Sequence, residues 1–508
     1  MNKNIITGIF ANTSNVLVNL ILVPIYLRYF GPGAYGIVSL IGVIMSFFVI
    51  FDAGTGIATI NEVSKQRIKS NSKLGLKNLV RSLEVLYLIF SLTSFLLIYF
   101  SSNLLAIEWF KSDFISSFDL TRFIKLIGVI IMFKWPLGFY NNVLSGLNKI
   151  NTSNYIKLFF ALLYLLVSLL TIVVFHFTFT SYLYTIILLQ LVNLVSVFII
   201  VWFYCGIEPS GAKFNLIELK SIWKFALSAS IFSILGVFFT LIDKIYVSKN
   251  FSLEFYGYYT ILSTIGFAST QVLYPITNSY FVLHVEFFQR EKHIYSFVKF
   301  RIVVKYILFF VLSFYSFLTV FQDEIFFLWT KNRELVNSIQ CIGFYFFVGL
   351  FFYSMHNIML IPLLVMKRIR RVNIAYISAL FIYIILLYIG NGTKDVKSVV
   401  YSWALACFIL FFLMTLSLFY KNTFYRSSSS FLRYIASDYL RPLTVAAILY
   451  IGLRVTNFIV PIQCGSSFIS WFLLPSIFIL ILFLQTFFSL TMNERKKIMS
   501  KLWCRFDG

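Results

Sequence analysis

The chain has 508 residues, 60% of them hydrophobic and only 12% charged, with a mean hydropathy of +0.87. A soluble domain carries about 25% charged residues, so there is too little polar surface here to cover a water-soluble fold, and the composition demands a polytopic membrane protein. The net charge of +23 would suggest nucleic acid in a soluble protein, but in a membrane chain it belongs to the loops that set orientation.

Apolar runs near the ~20 residues needed to cross the hydrocarbon fall at about 5–27, 37–60, 84–105, 123–146, 157–177, 183–204, 224–247, 257–283, 302–322, 339–366, 373–390, 399–420, 442–461 and 468–490. This predicts an all-α polytopic membrane protein of about fourteen transmembrane helices. The first run is full length with no small-residue cleavage site after it, so it is expected to stay as a helix. It carries Asn12, Asn15 and Asn19 at i, i+3 and i+7, one helical face. A polar stripe in an apolar span avoids lipid, either by hydrogen bonding between helices or by facing a sugar-sized cavity.

A short turn, Tyr26-Leu27-Arg28-Tyr29-Phe30-Gly31-Pro32-Gly33-Ala34-Tyr35-Gly36, joins the first two runs. It has an echo in Val247-Ser248-Lys249-Asn250-Phe251-Ser252-Leu253-Glu254-Phe255-Tyr256-Gly257, which aligns Gly36 with Gly257, Tyr35 with Tyr256 and Arg28 with Lys249. Asn154 and Asn373 match at nearly the same offset. Two matches at nearly the same offset suggest homologous halves.

Basic residues test the topology. One set of loops, including Lys65–Arg81, Lys149 and Lys157, Lys213–Lys224, Arg290–Lys305, Lys367–Arg371 and the tail from Arg495, holds about thirty of the 42, and the alternation places both termini in the cytoplasm. The predicted division is an N-terminal six-helix bundle (1–204), a cytoplasmic linker (205–223), a C-terminal six-helix bundle (224–420), and a last part (421–508) with a cytoplasmic segment, two extra helices and a basic tail. Six spans per repeat make the two bundles parallel repeats, related by a pseudo-two-fold along the membrane normal, the geometry of alternating access. Leu216–Trp223 and Phe424–Tyr439 are candidates for amphipathic helices on the membrane surface.

A charge at the centre of a span costs about 2.5–3.5 kcal/mol on insertion scales, so it normally faces a cavity or a partner. Lys134, in Met132-Phe133-Lys134-Trp135-Pro136, is the clearest candidate to meet an anionic substrate; Pro136 frees a carbonyl beside it. Arg28 and Lys244 are further candidate substrate cations, with Arg28 and Lys249 expected at the outer mouth. Asp52, Asp243 and His356 are candidates for ion coupling, each with a bland alternative as a helix-end or packing residue. Glu84 is expected at an interface. No Walker loop, G-x-S-x-G or HExxH motif occurs, and Cys205, Cys341, Cys407, Cys464 and Cys504 lack metal or disulfide spacing. Neither an enzyme nor a cofactor is indicated.

The stretch from Pro24 to Gly36, followed by Asp52-Ala53-Gly54, and later Leu241-Ile242-Asp243-Lys244-Ile245-Tyr246 with Tyr256-Gly257 and Pro275, resembles the bacterial polysaccharide-biosynthesis flippases, the Wzx-type O-antigen transporters. These belong to a superfamily that also holds the MATE multidrug exporters. Phe30 stands where that family usually has leucine. The resemblance implies a flippase of the bacterial inner membrane that moves an undecaprenyl-diphosphate-linked oligosaccharide from the cytoplasmic to the periplasmic leaflet through a cationic cavity, with other polysaccharide-assembly membrane proteins as partners. Lys134 is outside the family motif, so its role rests on the physical argument alone. The alternatives are an ion-coupled drug or metabolite antiporter of the same fold, which should show acidic residues inside the first bundle, and a polysaccharide polymerase or ligase, which should carry a large outer loop.

Overall fold

The computed structural model describes residues 2–69, 73–112, 115–206, 214, 216–289, 293–366, 368–390, 395–419, 441–459 and 468–489. Phe424–Tyr439 lies outside them. The described chain is all-α. Its helices are α1 (Asn2–Lys69), α2 (Lys73–Leu104), α3 (Ser117–Gly146), α4 (Ile150–Leu169), α5 (Phe179–Cys205), α6 (Leu216–Asn250), α7 (Leu253–Gln289), α8 (His293–Val320), α9 (Gln322–Thr330), α10 (Arg333–Val365), α11 (Ile369–Gly390), α12 (Val396–Phe419), α13 (Arg441–Ile459) and α14 (Phe468–Ser489). Among the described residues, nine helical stretches are long and apolar enough to cross a membrane. Large side chains such as Leu97, Phe100, Leu188, Phe203, Phe381 and Tyr388 are exposed on them, as expected where lipid is the solvent. Helices satisfy every backbone group internally in that medium.

α1 holds the first two predicted spans in one helical run, interrupted only at Gly31 (φ 81°, ψ 171°). That conformation is open essentially to glycine alone. The Tyr26 and Tyr35 ring centroids are 6.3 Å apart, whereas nine residues of straight helix rise about 13.5 Å. The chain therefore folds back at Gly31, and one glycine does the work expected of a short loop. Leu216–Trp223, a candidate for a separate surface helix, instead forms the first turns of α6. Helical hydrogen bonding simply continues through it.

Residues Met1–Thr264 and Ile265–Gly508 form two compact units. In the first, α1 packs on α3, α4 and α6, while α3 also packs on α2 and α5. Leu79, Val80, Leu83 and Tyr87 of α2 meet Trp135, Phe139, Val143 and Leu144 of α3 and Val197, Val201 and Trp202 of α5 in one apolar core. In the second unit, α10 packs on α8 and α12, α11 on α12, and α13 and α14 both lie against α8, where Arg454 donates to the Thr319 carbonyl at 3.2 Å.

Glu84 is a correction to the sequence reading. It sits inside that first core with a side chain 1% exposed. Tyr140 Oη (2.6 Å) and Trp202 Nε1 (3.1 Å) donate to Oε1, and Arg81 pairs with Oε2. Donors from α2, α3 and α5 converge on one carboxylate, which is how a buried charge is tolerated.

Candidate functional site

The first unit holds a partly open cavity of about 740 Å³, within the range of about 300–1,000 Å³ typical of small-molecule sites. Asn15, Asn19 and Tyr26 reach it from the first half of α1, and Tyr35 to Met45 from the second half. Lys134 and Asn141 come from α3, Lys157 and Tyr164 from α4, Gln190 and Asn193 from α5, Lys244 from α6, and Thr260, Ser263 and Thr264 from α7. Helices from both sides of the 205–223 segment thus line it.

Three lysines face this space and, among the described residues, no carboxylate lines it. Lys134 is exposed to the cavity and Lys157 half-buried beside it. Ion pairs of the described residues include Lys65–Glu62, Arg81–Glu84 and Lys244–Asp243, and neither Lys134 nor Lys157 has a counter-charge among the described residues. Pro136 follows Lys134 within α3, removing the N–H that would otherwise bond the Met132 carbonyl. Lys244 differs from the other two. Its Nζ lies 3.1 Å from Asp243 Oδ2 and 3.1 Å from the Thr240 carbonyl oxygen, and Tyr259 Oη donates to the same Asp243 oxygen at 2.7 Å. Asp243 is 0% exposed.

Two of the lining tyrosines, Tyr26 and Tyr164, belong to a cluster of hydroxyls. Tyr26 Oη is bonded to Tyr182 Oη and, at 3.0 Å, to Tyr164 Oη, while Tyr182 also meets Tyr164 and Ser168 at 3.2 Å each. Helical rise places the other residues relative to this cluster. Asn19 lies seven residues from Tyr26, Lys157 seven from Tyr164 and Gln190 eight from Tyr182, all about 10–12 Å from the tyrosines. Asn15 and Asn193 lie eleven residues away, about 16 Å. Asn141 Oδ1 accepts from Ser153 Oγ at 2.6 Å, which sets the register of α3 on α4 and puts Lys134 about 6 Å, measured along the helix axis, from the level of Tyr164.

The sequence candidates separate clearly. Lys134, Lys244, Asn15 and Asn19 come together on the cavity wall. Arg28 is exposed and lies over the Tyr29 ring at 5.9 Å, away from that wall. Lys249, its repeat partner, rests on the Trp109 ring at 5.0 Å. Asp243 is behind the wall, held by Lys244 and Tyr259. His356 belongs to the second unit, is 0% exposed, and has its ring nitrogens bonded to the Tyr353 carbonyl and, at 2.9 Å, to Tyr376 Oη. The side chains of Asn12 and Asp52 lie outside the described residues. Sequence reasoning missed Lys157, which it counted as a loop charge. It also missed Gln190 and Asn193, although their i, i+3 spacing carries the signal that singled out Asn15 and Asn19.

No protein-family model and no curated protein matches the chain. Solved structures do. A multidrug resistance MATE transporter of the MOP superfamily, in its inward-facing conformation, superposes with a TM-score of 0.68 at 14% identity, covering 79% of this chain and 93% of that one. The lipid II flippase MurJ, in an inward closed conformation, gives a TM-score of 0.67 at 15% identity over 97% of this chain and 99% of that one. A MOP-superfamily transporter from Pyrococcus furiosus gives 0.57 at 14% identity over 82% and 93%. The chain has the fold of MOP-superfamily transporters.

Proposed function

We propose that this protein is a flippase for an undecaprenyl-diphosphate-linked oligosaccharide, an O-antigen unit or a similar repeat, carrying it from the cytoplasmic to the periplasmic leaflet of the bacterial inner membrane by alternating access. The observation that carries this reading is the pair Lys134 and Lys157, facing a cavity lined by membrane-spanning helices with no counter-charge among the described residues. A diphosphate cannot cross hydrocarbon unaided, and two ammonium groups offset its loss of water. The membrane potential assists, since each negative charge leaving a negative interior gains about 2.3 kcal/mol per 100 mV. The fold shared with a lipid II flippase supports a lipid-linked cargo. The Pyrococcus furiosus transporter is described as having a pocket of reverse polarity that suggests a different function, so pocket charge is a sensible discriminator within this fold. Both termini in the cytoplasm and parallel bundles at 1–204 and 224–420 belong to the same proposal.

The second reading is an ion-coupled drug or metabolite antiporter, favoured by the likeness to a multidrug transporter and by the buried Asp243. It has less support, because the described wall presents lysines and no carboxylate.

The deciding experiment is deletion of the gene. Lipid-linked oligosaccharide should accumulate on the cytoplasmic leaflet while surface polysaccharide is lost. Accumulation on the periplasmic leaflet would indicate a polymerase or ligase, and no change in either would favour the antiporter.

A further inference from the structure

We propose that the cavity has a carbohydrate subsite, formed by the amides Asn15 and Asn19 of α1 and Gln190 and Asn193 of α5, beside the anion subsite of Lys134 and Lys157, and that it accepts neutral or acidic sugars and rejects amino sugars bearing a positive charge. This rests on the diphosphate reading above and extends it to the sugar.

The two chemistries come from different helices. Lys134 and Lys157, with no counter-charge among the described residues, project from α3 and α4, whereas the four amides project from α1 and α5. By helical rise Asn19, Lys157 and Gln190 share one level, with Asn15 and Asn193 about 4–6 Å beyond it. Amide groups at those separations span one or two sugar rings and can both donate to and accept from hydroxyls.

Two observations show that the amides are not committed to holding the fold. Among the described residues, Asn19, Gln190 and Asn193 make no hydrogen bond to protein, and Asn15 bonds only its own helix, through Nδ2 to the Ala11 carbonyl at 3.1 Å. Gln190 Oε1 is also buried and unpartnered. A buried acceptor without a donor is costly, and a ligand hydroxyl supplies the donor. Contrast Asn141, whose amide is tied to Ser153 and to the Leu137 carbonyl. Charge sets the selectivity. With Lys134 and Lys157 lining the same cavity and no carboxylate among the described lining residues, an ammonium on the sugar finds repulsion and no partner.

The test is binding of soluble headgroup probes to the full chain in lipid nanodiscs: uridine diphosphate, the same nucleotide linked to N-acetylglucosamine, and the same nucleotide linked to glucosamine. The N-acetylated sugar should tighten binding about fivefold to tenfold over uridine diphosphate, the yield of roughly one hydrogen bond, and glucosamine should not. Gln190→Leu and Asn193→Leu should each erase most of that increment and leave the uridine diphosphate affinity unchanged. Lys134→Met should weaken all three probes alike. Retained uridine diphosphate binding shows that a variant is folded, and Gln190→Ala replaces any that is not. An increment that survives both leucine variants, or glucosamine binding as tightly as its N-acetyl form, would overturn the sugar subsite and leave the flippase reading standing. Uridine diphosphate binding that is absent or indifferent to Lys134 and Lys157 would remove the diphosphate reading and this inference with it.

Discussion

Gly36 and Gly257, equivalent positions in the two copies of the hairpin, each press against the backbone of the other copy. A Cβ on Gly36 would meet the Leu253 carbonyl oxygen at 2.6 Å, and one on Gly257 would strike the Pro32 carbonyl oxygen and approach Gly36 N at 3.3 Å. The contact is reciprocal, since the alignment that pairs Gly36 with Gly257 also pairs Pro32 with Leu253. Neighbouring loops reinforce it: Leu253 N donates to the Lys111 carbonyl at 2.6 Å, and Ser112 Oγ donates to Glu254 Oε1 at 2.6 Å.

Gly257→Val should therefore destabilise the purified protein by about 1–3 kcal/mol, the usual cost of overpacking. Gly452→Ala, where an added Cβ meets nothing within 4 Å, should not. Thermal unfolding in detergent compares the two. Equal melting of both variants would show that the hairpins can part without cost.

Replacing Lys134 with alanine should reduce export more than tenfold at an unchanged level of membrane-inserted protein. Lys157→Ala should do the same. If the two lysines hold one diphosphate, the double variant will be little worse than either single. Surface polysaccharide in a complemented deletion strain gives the readout, and wild-type export by Lys134→Ala would remove this lysine from the mechanism.

Asp243 and Lys244 form a buried pair. Asp243→Asn alone leaves an ammonium whose side chain is 14% exposed without its carboxylate, which should cost about 3–5 kcal/mol. The double change Asp243→Asn with Lys244→Gln should recover much of that. A melting series on the two variants tests it, and a double variant worse than the single would mean that Asp243 serves Tyr259 more than Lys244.

Glu84→Leu should be among the most damaging changes in the first unit. It strands the Tyr140 hydroxyl and the Trp202 N–H, each worth about 1–3 kcal/mol when buried without a partner. Glu84→Gln preserves an acceptor and should be milder. Yield of folded protein and melting temperature both report the difference.

His356→Gln should leave export and its pH profile unchanged, since the ring is walled in by Tyr353 and Tyr376. A shifted profile would return this histidine to the list of coupling residues.

Much of the site is legible in the sequence where polarity interrupts an apolar run. Lys134, Asn15 and Asn19 declare themselves this way, because lipid penalises them and the helical period shows their shared face. Lys157 is hidden by position: seven residues past the start of α4, it looks like one more basic residue of the adjoining loop. Tyr26, Tyr164 and Tyr182 are hidden by type, because tyrosine fills a span like any apolar residue until its hydroxyl finds a partner. Glu84 looks interfacial because its donors lie 56 and 118 residues away, and no local pattern connects them. The turn at Gly31 is visible as Gly-Pro-Gly, but not that helix resumes immediately on both sides.

Lys134 and Lys157, with no counter-charge among the described residues, also bear on the protein at rest. A cavity presenting two ammonium groups attracts small anions from solution. On the proposed flippase reading, cargo entry is then an exchange in which a diphosphate displaces chloride or phosphate, and departure of the cargo invites them back. High salt should weaken loading by competition for the site and not only by screening, and the ions left behind after each delivery would keep the empty carrier neutral enough to return.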